Sequence, residues 1–347
     1  MIKSMCGRVV FNSFSRMIIN RPVNFHTFQS SKFSSKSNLE IEQEMFQIKR
    51  ELGSFYSKGN YNAALDCAVK LQKYVEKAMG KENAIYASCL NNIALMNKLL
   101  GNYEVGIDYY IDALHKYEDV VGRNNSSYVS TLTNLGVLCK LFAEQRSGAE
   151  RMELLLRADE ALTDASTLRV SISGSDHKDT LLVSTHLAGL WRVQGQIDKA
   201  EQEYRRLYKR SINLFGQMDS LSATLANNLG LLLKTKGEWQ EARELYELSL
   251  DARSRSLGDA HPDTIISMHN LSELLHSTGK EEEALQIQRQ ILAVVGDDQT
   301  EQKGDDRLEG SDTEKSIHHS SRSTEEMVES VGTAQPIEET STEEWKP

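Results

Sequence analysis

The residues of this chain that could do chemistry fall into two periodic sets. One position reads Asn92, Asn134, His186, Asn228 and Asn270, and six residues on a second reads Lys98, Lys140, Arg192, Lys234 and His276. An asparagine amide carries both donors and an acceptor, so it can pair with the N–H and C=O of an extended peptide backbone. A parallel row of cations attracts carboxylates along that backbone. Together the two sets suit an extended acidic peptide. Exposed ion pairs contribute only about 0.2–1 kcal/mol each, so tight binding also needs an apolar or aromatic anchor on the partner. The plain alternative is structural: duplicated units repeat their surface residues without a ligand, and asparagines tie neighbouring units together.

No comparable pattern supports catalysis. The chain has no Gly-rich phosphate loop after a strand, no His-Glu-x-x-His and no Gly-x-Ser-x-Gly. Gly279-Lys280 lacks the preceding glycine spacing of a phosphate loop. Cys6, Cys67, Cys89 and Cys139 form no Cys-x-x-Cys pair and have no histidines at zinc-ligand spacing, so reduced buried thiols are expected. The His318-His319 pair reads as incidental. No enzyme activity, cofactor or metal is expected.

The elements that position these residues show themselves as a repeat. Helix-breaking glycines recur at Gly59, Gly101, Gly195, Gly237 and Gly279, with gaps of 42, 94, 42 and 42. A second series, Gly80, Gly122, Gly174, Gly216 and Gly258, steps by 42, 52, 42 and 42, as do Ile93, Leu135, Leu187, Leu229 and Leu271. The period is 42, with ten extra residues in the third unit. Within a unit, apolar residues at helical spacing (Leu225, Leu229, Leu232, Leu233) define a first helix that ends at a glycine such as Gly237. A small residue five positions later (Ala64, Gly106, Ala200, Ala242, Ala284, and Ala158 in the third unit) lets a second helix approach closely. Tyr110, Tyr204 and Tyr246 fill the space beneath. One such pair cannot bury its faces alone, so neighbours must stack. In the third unit Ala143 stands where a turn glycine would fall, and residues around Glu144 to Glu153 are additional. Their composition predicts lengthened helices turning near Gly148, a hairpin projecting past its neighbours.

Charge is unevenly spread. The chain of 347 residues is −10 overall. Residues 1–39 hold Lys3, Arg8, Arg16, Arg21, Lys32 and Lys36 and no acid, in a chain with 50 acids. Such an acid-free, Ser- and Arg-rich leader predicts a mitochondrial transit peptide, with a plastid peptide as competitor. Residues 297–347 carry 15 acids and 5 bases with few large apolar side chains, which predicts an acidic disordered tail. This balance argues against nucleic-acid binding, which needs surplus cations to displace counterions. No run of about 18 uncharged apolar residues predicts an integral membrane segment.

The units resemble tetratricopeptide repeats. Leu229, Gly230, Gly237, Ala242, Tyr246 and Ser249 fit that spacing. The 42-residue length and the linker Leu257-Gly258-Asp259-Ala260-His261-Pro262-Asp263-Thr264 are similar to those of kinesin light chains, although no heptad coiled coil precedes the repeats. The resemblance covers about residues 40–296 and is weakest in the first unit, where Leu52 stands at the small-residue position of the first helix. It implies an all-α, right-handed α-solenoid of about six antiparallel helix pairs, in units of about 40–80, 81–122, 123–174, 175–216, 217–258 and 259–296. It also implies that the first helices line a concave groove, which places both ladders on its wall. The expectation is therefore a non-catalytic protein-interaction scaffold, a mitochondrial (matrix) adaptor or assembly factor binding an acidic peptide. The alternative is a cytosolic cargo or signalling adaptor of the kinesin-light-chain kind. Glu343-Glu344-Trp345 in the chain's own tail combines acids with an aromatic anchor and is a candidate ligand in cis.

Overall fold

The computed structural model describes residues 38–304. The transit-peptide segment, Cys6, His318-His319 and the tail around Trp345 lie outside the described residues. The chain divides into two units, residues 1–297 and 298–347, and the helix pairs belong to the first. Among the described residues there are twelve helices and no strand. They pair as α1 (Asn38–Ser57) with α2 (Tyr61–Met79), α3 (Ala84–Leu100) with α4 (Tyr103–Val121), and α5 (Ser126–Ala143) with α6 (Gly148–Ser173). The remaining pairs are α7 (Lys178–Val193) with α8 (Ile197–Phe215), α9 (Ser220–Lys236) with α10 (Trp239–Leu257), and α11 (Pro262–Ser277) with α12 (Glu281–Gly304). The fold is an all-α solenoid of antiparallel helix pairs. α12 continues past Gly296, where the composition turns acidic, because Gln299, Glu301 and Gln302 are good helix formers.

Local chemistry explains where the helices start and stop. Asn83 Oδ1 accepts from the Tyr86 N–H at 2.9 Å, and Asp219 Oδ1 accepts from Leu221 N–H at 2.9 Å, each satisfying a donor that the first turn leaves open. Pro262 occupies the first turn of α11, where its missing N–H costs nothing. At the other end Gly237 sits at φ +79° and its N–H bonds back to Leu233 and Lys234 carbonyls, a conformation that disfavours any residue with a Cβ.

Packing follows from the small residues. Ala64, Ala158, Ala200 and Ala242 are fully buried where second helices cross first helices, with Tyr110 and Tyr246 buried beside them. The closest approach is at Gly136 of α5. A Cβ there would lie 2.7 Å from Leu162 Cγ and 3.2 Å from the Ala158 carbonyl. Gly136→Ala should therefore lower stability by about 1–3 kcal/mol through overpacking, despite alanine's better helix propensity. A urea denaturation midpoint at or above wild type would show that the crossing can relax.

The third unit departs from the expected hairpin. α5 has 18 residues against 17 in α3, whereas α6 has 26 against 19 in α4 and α8. Most of the additional residues thus lengthen the second helix at its start, after Gly148 at φ +59°, and the first helix gains only one. Leu154 and Leu155 give the added turns a buried face. Arg151 anchors them, donating to the carbonyls of Ala143 (2.9 Å) and Val193 (3.0 Å), where α5 and α7 end with unsatisfied acceptors.

Two arginines are also buried in the array at the same register of α6 and α10. Arg169 donates to Ser126 Oγ (3.1 Å) and Ser130 Oγ (3.0 Å) on α5 and lies 3.7 Å from Asp179 on α7. Arg253 donates to Asp263 O (2.9 Å) and Ser267 Oγ (2.8 Å) on α11 and to Thr224 Oγ1 (3.2 Å) on α9. Each guanidinium joins its own unit to the next. α8 has Ser211 at this position, bonded by Ser222 Oγ at 3.0 Å.

Candidate functional site

The first helices α5, α7, α9 and α11 wall a pocket of about 380 Å³. Six of the ten residues singled out from the sequence lie on it: Asn134, Lys140, His186, Arg192, Asn228 and Asn270. The other four stand apart. Asn92 and Lys98 on α3 are buried, 4% and 5% exposed, beyond the end of the pocket wall. Lys234 is half-buried and its ammonium is bonded to Glu273, a wall residue, at 2.9 Å. His276 is exposed and pairs with Glu281 at 2.8 Å.

The amide ladder divides in two. Part of it is structural: Asn270 Nδ2 donates to Asn227 Oδ1 at 2.9 Å, and Thr131 donates to Asn91 Oδ1 at 3.1 Å, each bond joining adjacent units. The other part is unsatisfied. Asn134 Nδ2 and Asn92 Oδ1 are buried without a hydrogen-bond partner, as is Tyr246 Oη. A buried polar atom left unpaired costs about 1–3 kcal/mol. Asn134 lies on the pocket wall, so an acceptor entering the pocket would relieve that cost.

The cation ladder is not the open row that the spacing suggests. Toward α9 and α11 its charge is answered from within, since Glu273 holds Lys234 and Arg253 sits against Asp263. Toward α3, α5 and α7 the basic groups gather. Burial and the neighbouring Lys140 hold the Lys98 ammonium down to about 7. Burial, then Lys140 and Lys98, push His186 down to about 3, which leaves it neutral. Lys140 is also lowered, by burial and by Arg192, against the opposing pull of Glu144. Arg192 lies 3.8 Å from Glu144, a long contact for a charge-assisted pair.

Thr185, Tyr204, Arg253 and Glu273 complete the wall. Tyr204 was legible as a repeating ring. Arg253 carried one signal, its 84-residue spacing from Arg169 across an array of period 42. Among the described residues no group of three His, Cys, Asp or Glu side chains could hold a metal ion. No helix there is long and apolar enough to cross a membrane. Cys67, Cys89 and Cys139 are buried free thiols, and burial pushes Cys89 up to about 12.

A solenoid of helix pairs with a pocket along four of its first helices defines the class. Residues 87–126 and 221–295 each match family models described as tetratricopeptide repeat. Over those two stretches the chain carries tetratricopeptide repeats. No curated protein sequence matches it. Among solved structures it is similar to a Rap protein complexed with competence and sporulation factor (TM-score 0.60, 10% identity, covering 86% of this chain and 79% of that one). It is also similar to NprR in complex with its cognate peptide NprX (0.51, 13%, 86% and 81%). A putative kinesin light chain repeat protein of Podosopora anserina matches at 0.46 and 16%, over 65% and 99%. The first two likenesses show the fold.

Proposed function

We propose that this chain is a non-catalytic interaction scaffold that holds an extended acidic peptide along its first helices. The observation that carries the reading is the pocket itself, with the orphan donor of Asn134 beside Lys140 and Arg192. The donor seeks a backbone carbonyl and the cations seek carboxylates. The Rap and NprR structures, of the same fold, were solved with a competence and sporulation factor and with a peptide. Combined Asn134→Ala, Lys140→Glu, Asn228→Ala and Lys234→Glu should remove the partners captured by wild type in a pull-down while circular dichroism stays helical. An unchanged partner set with the fold intact would move the binding surface elsewhere.

The acid-free basic leader of residues 1–39 supports a mitochondrial setting, as an adaptor or assembly factor in the matrix. Residues 1–40 fused to a fluorescent protein should carry it into mitochondria. A diffuse cytosolic signal would favour instead a cargo or signalling adaptor of the kinesin-light-chain kind, the reading supported by the linker at 257–264. The Glu343-Glu344-Trp345 segment is a ligand that the groove would accept in cis. Direct titration of a peptide of that sequence tests it.

A further inference from the structure

The second helices face one another along the array, and the side chains at this contact differ from seam to seam. Between the fourth and fifth units they are Glu201, Arg205 and Glu241, and Arg205 donates to Glu201 Oε1 (2.7 Å) and Glu241 Oε2 (2.8 Å). The positions of Glu201 and Arg205 are held in the second unit by Ile107 and Ile111. Ile107 is buried in one cluster with Leu154 and Leu155, from the added turns of α6, and Ile111 packs against it. Between the first and second units the three positions hold Leu65, Val69 and Val105, and here the groove is open. With Ile93 and Tyr109 these side chains line a space of about 640 Å³ between α2 and α4, and Val105 is 44% exposed. Lys70 and Lys73 form its rim on α2 beside Asp66, and Asp108 and Asp112 are exposed on α4. Both lysines are exposed, and Lys70 makes a long contact with Glu51, at 3.8 Å.

The chain carries a segment of matching form. On the added turns of α6, Met152 and Leu156 are 69% and 59% exposed, one turn apart. A lone exposed apolar residue needs no partner, but two at this spacing make a stripe along the helix. Exposed Glu153 and Glu160 run beside it, with Arg157 bonded to Glu153 at 3.0 Å. We propose that this stripe fills the groove of a second copy, so that two chains pair about a two-fold axis with α6 of each between α2 and α4 of the other.

The same turns of α6 already show the mode of contact within the chain, where Leu154 and Leu155 share a core with Ile107, the counterpart of Leu65. The charges match as well. Glu153 and Glu160 meet the lysine rim of α2, and Asp108 and Asp112 on α4 disfavour the reverse placement. Exposed ion pairs add little on their own, so the apolar fill carries the affinity and the charges set the register. One stripe in one groove is small beside the roughly 1,200 Å² that a specific interface buries. A two-fold relation forms the contact twice and leaves no end open. The contact is made by second helices, so it stands or fails independently of the peptide pocket.

Sedimentation velocity of the full chain, at concentrations up to about 100 μM, reads the pairing. A dimer is expected. Val105→Glu in the groove, and separately Met152→Glu with Leu156→Glu on the stripe, should each weaken it by at least about tenfold. All three positions are exposed, so helical circular dichroism should be unchanged. Reversing the rim with Lys70→Glu and Lys73→Glu should weaken pairing roughly three- to tenfold. Adding Glu153→Lys and Glu160→Lys to that chain should recover most of the loss, and a further loss would overturn the proposal. A wild-type chain that stays monomeric over the whole range would also overturn it, as would a dimer unaffected by Val105→Glu or by the stripe variant. A labelled peptide of residues 148–163 covers the remaining occupant. Its binding to a monomeric wild type would assign the groove to a helix of another protein and likewise overturn the self-pairing.

Discussion

Lys98→Met should make the protein more stable at neutral pH, by about 2–4 kcal/mol. The wild-type side chain is buried on α3, and burial together with Lys140 brings its ammonium from 10.5 down to about 7. In the unfolded chain it titrates near its ordinary value. Below pH 7 both states hold the proton, and the folded state bears the full cost of a buried charge. Between pH 7 and 10.5 the folded state releases the proton while the unfolded state keeps it, so stability climbs with pH. Each pH unit across that interval is worth about 1.4 kcal/mol, and the methionine, similar in volume and without charge, escapes the cost. Urea denaturation at pH 7.0 and 8.5 measures it. Wild type should gain on the variant as pH rises, which separates Lys98 from the thiols and phenols that titrate in both proteins. A variant less stable than wild type at pH 7 would show that burial does not penalise the ammonium as expected.

The opposite outcome is expected at the other buried cation. Arg253→Ala should cost about 3–5 kcal/mol. Its guanidinium reaches two neighbouring helices at once, donating to Asp263 O and Ser267 Oγ on α11 and to Thr224 Oγ1 on α9. Truncation leaves those acceptors buried and unpaired and opens a cavity where a long side chain ran. Arg253→Lys should recover less than half, because a single ammonium cannot serve acceptors on α9 and α11 through a planar fork. Arg253→Met, which fills the volume, should cost less than the alanine. A change below about 1 kcal/mol for Arg253→Ala in equilibrium denaturation would mean that the guanidinium contributes no more than a surface ion pair.

The contrast between these two cations marks the boundary of what the sequence could disclose. The repeat was legible because turns impose a backbone demand that glycine meets. Gly101 and Gly237 therefore recur at a fixed interval and take the left-handed conformation at the ends of α3 and α9. The crossing residues were legible for a similar reason, since only Ala or Gly fits where Ala158 and Ala242 are buried. Burial of polar side chains was not. Nothing in the spacing distinguishes Lys98, buried, from Lys234, half-exposed and held by Glu273. Nor could period alone tell Asn270, which is used between units, from Asn134, whose amide is unspent. In the third unit the count of ten additional residues was readable, but the placement of most of them on α6 depended on Arg151 finding the ends of α5 and α7.

The buried arginines have a consequence for how the array comes apart. Arg169 bolts the third unit to the fourth and Arg253 bolts the fifth to the sixth, while the fourth and fifth are joined by Ser222 to Ser211 inside and by Arg205 to Glu241 and Lys236 to Glu201 nearer the surface. A linear array opens where its nearest-neighbour coupling is weakest. Arg253→Ala should therefore let α10 and α11 open separately in amide exchange, where wild type opens them together. A ligand in the pocket, spanning α7 and α9, would in turn tie the fourth unit to the fifth, the seam of these three that no buried guanidinium crosses.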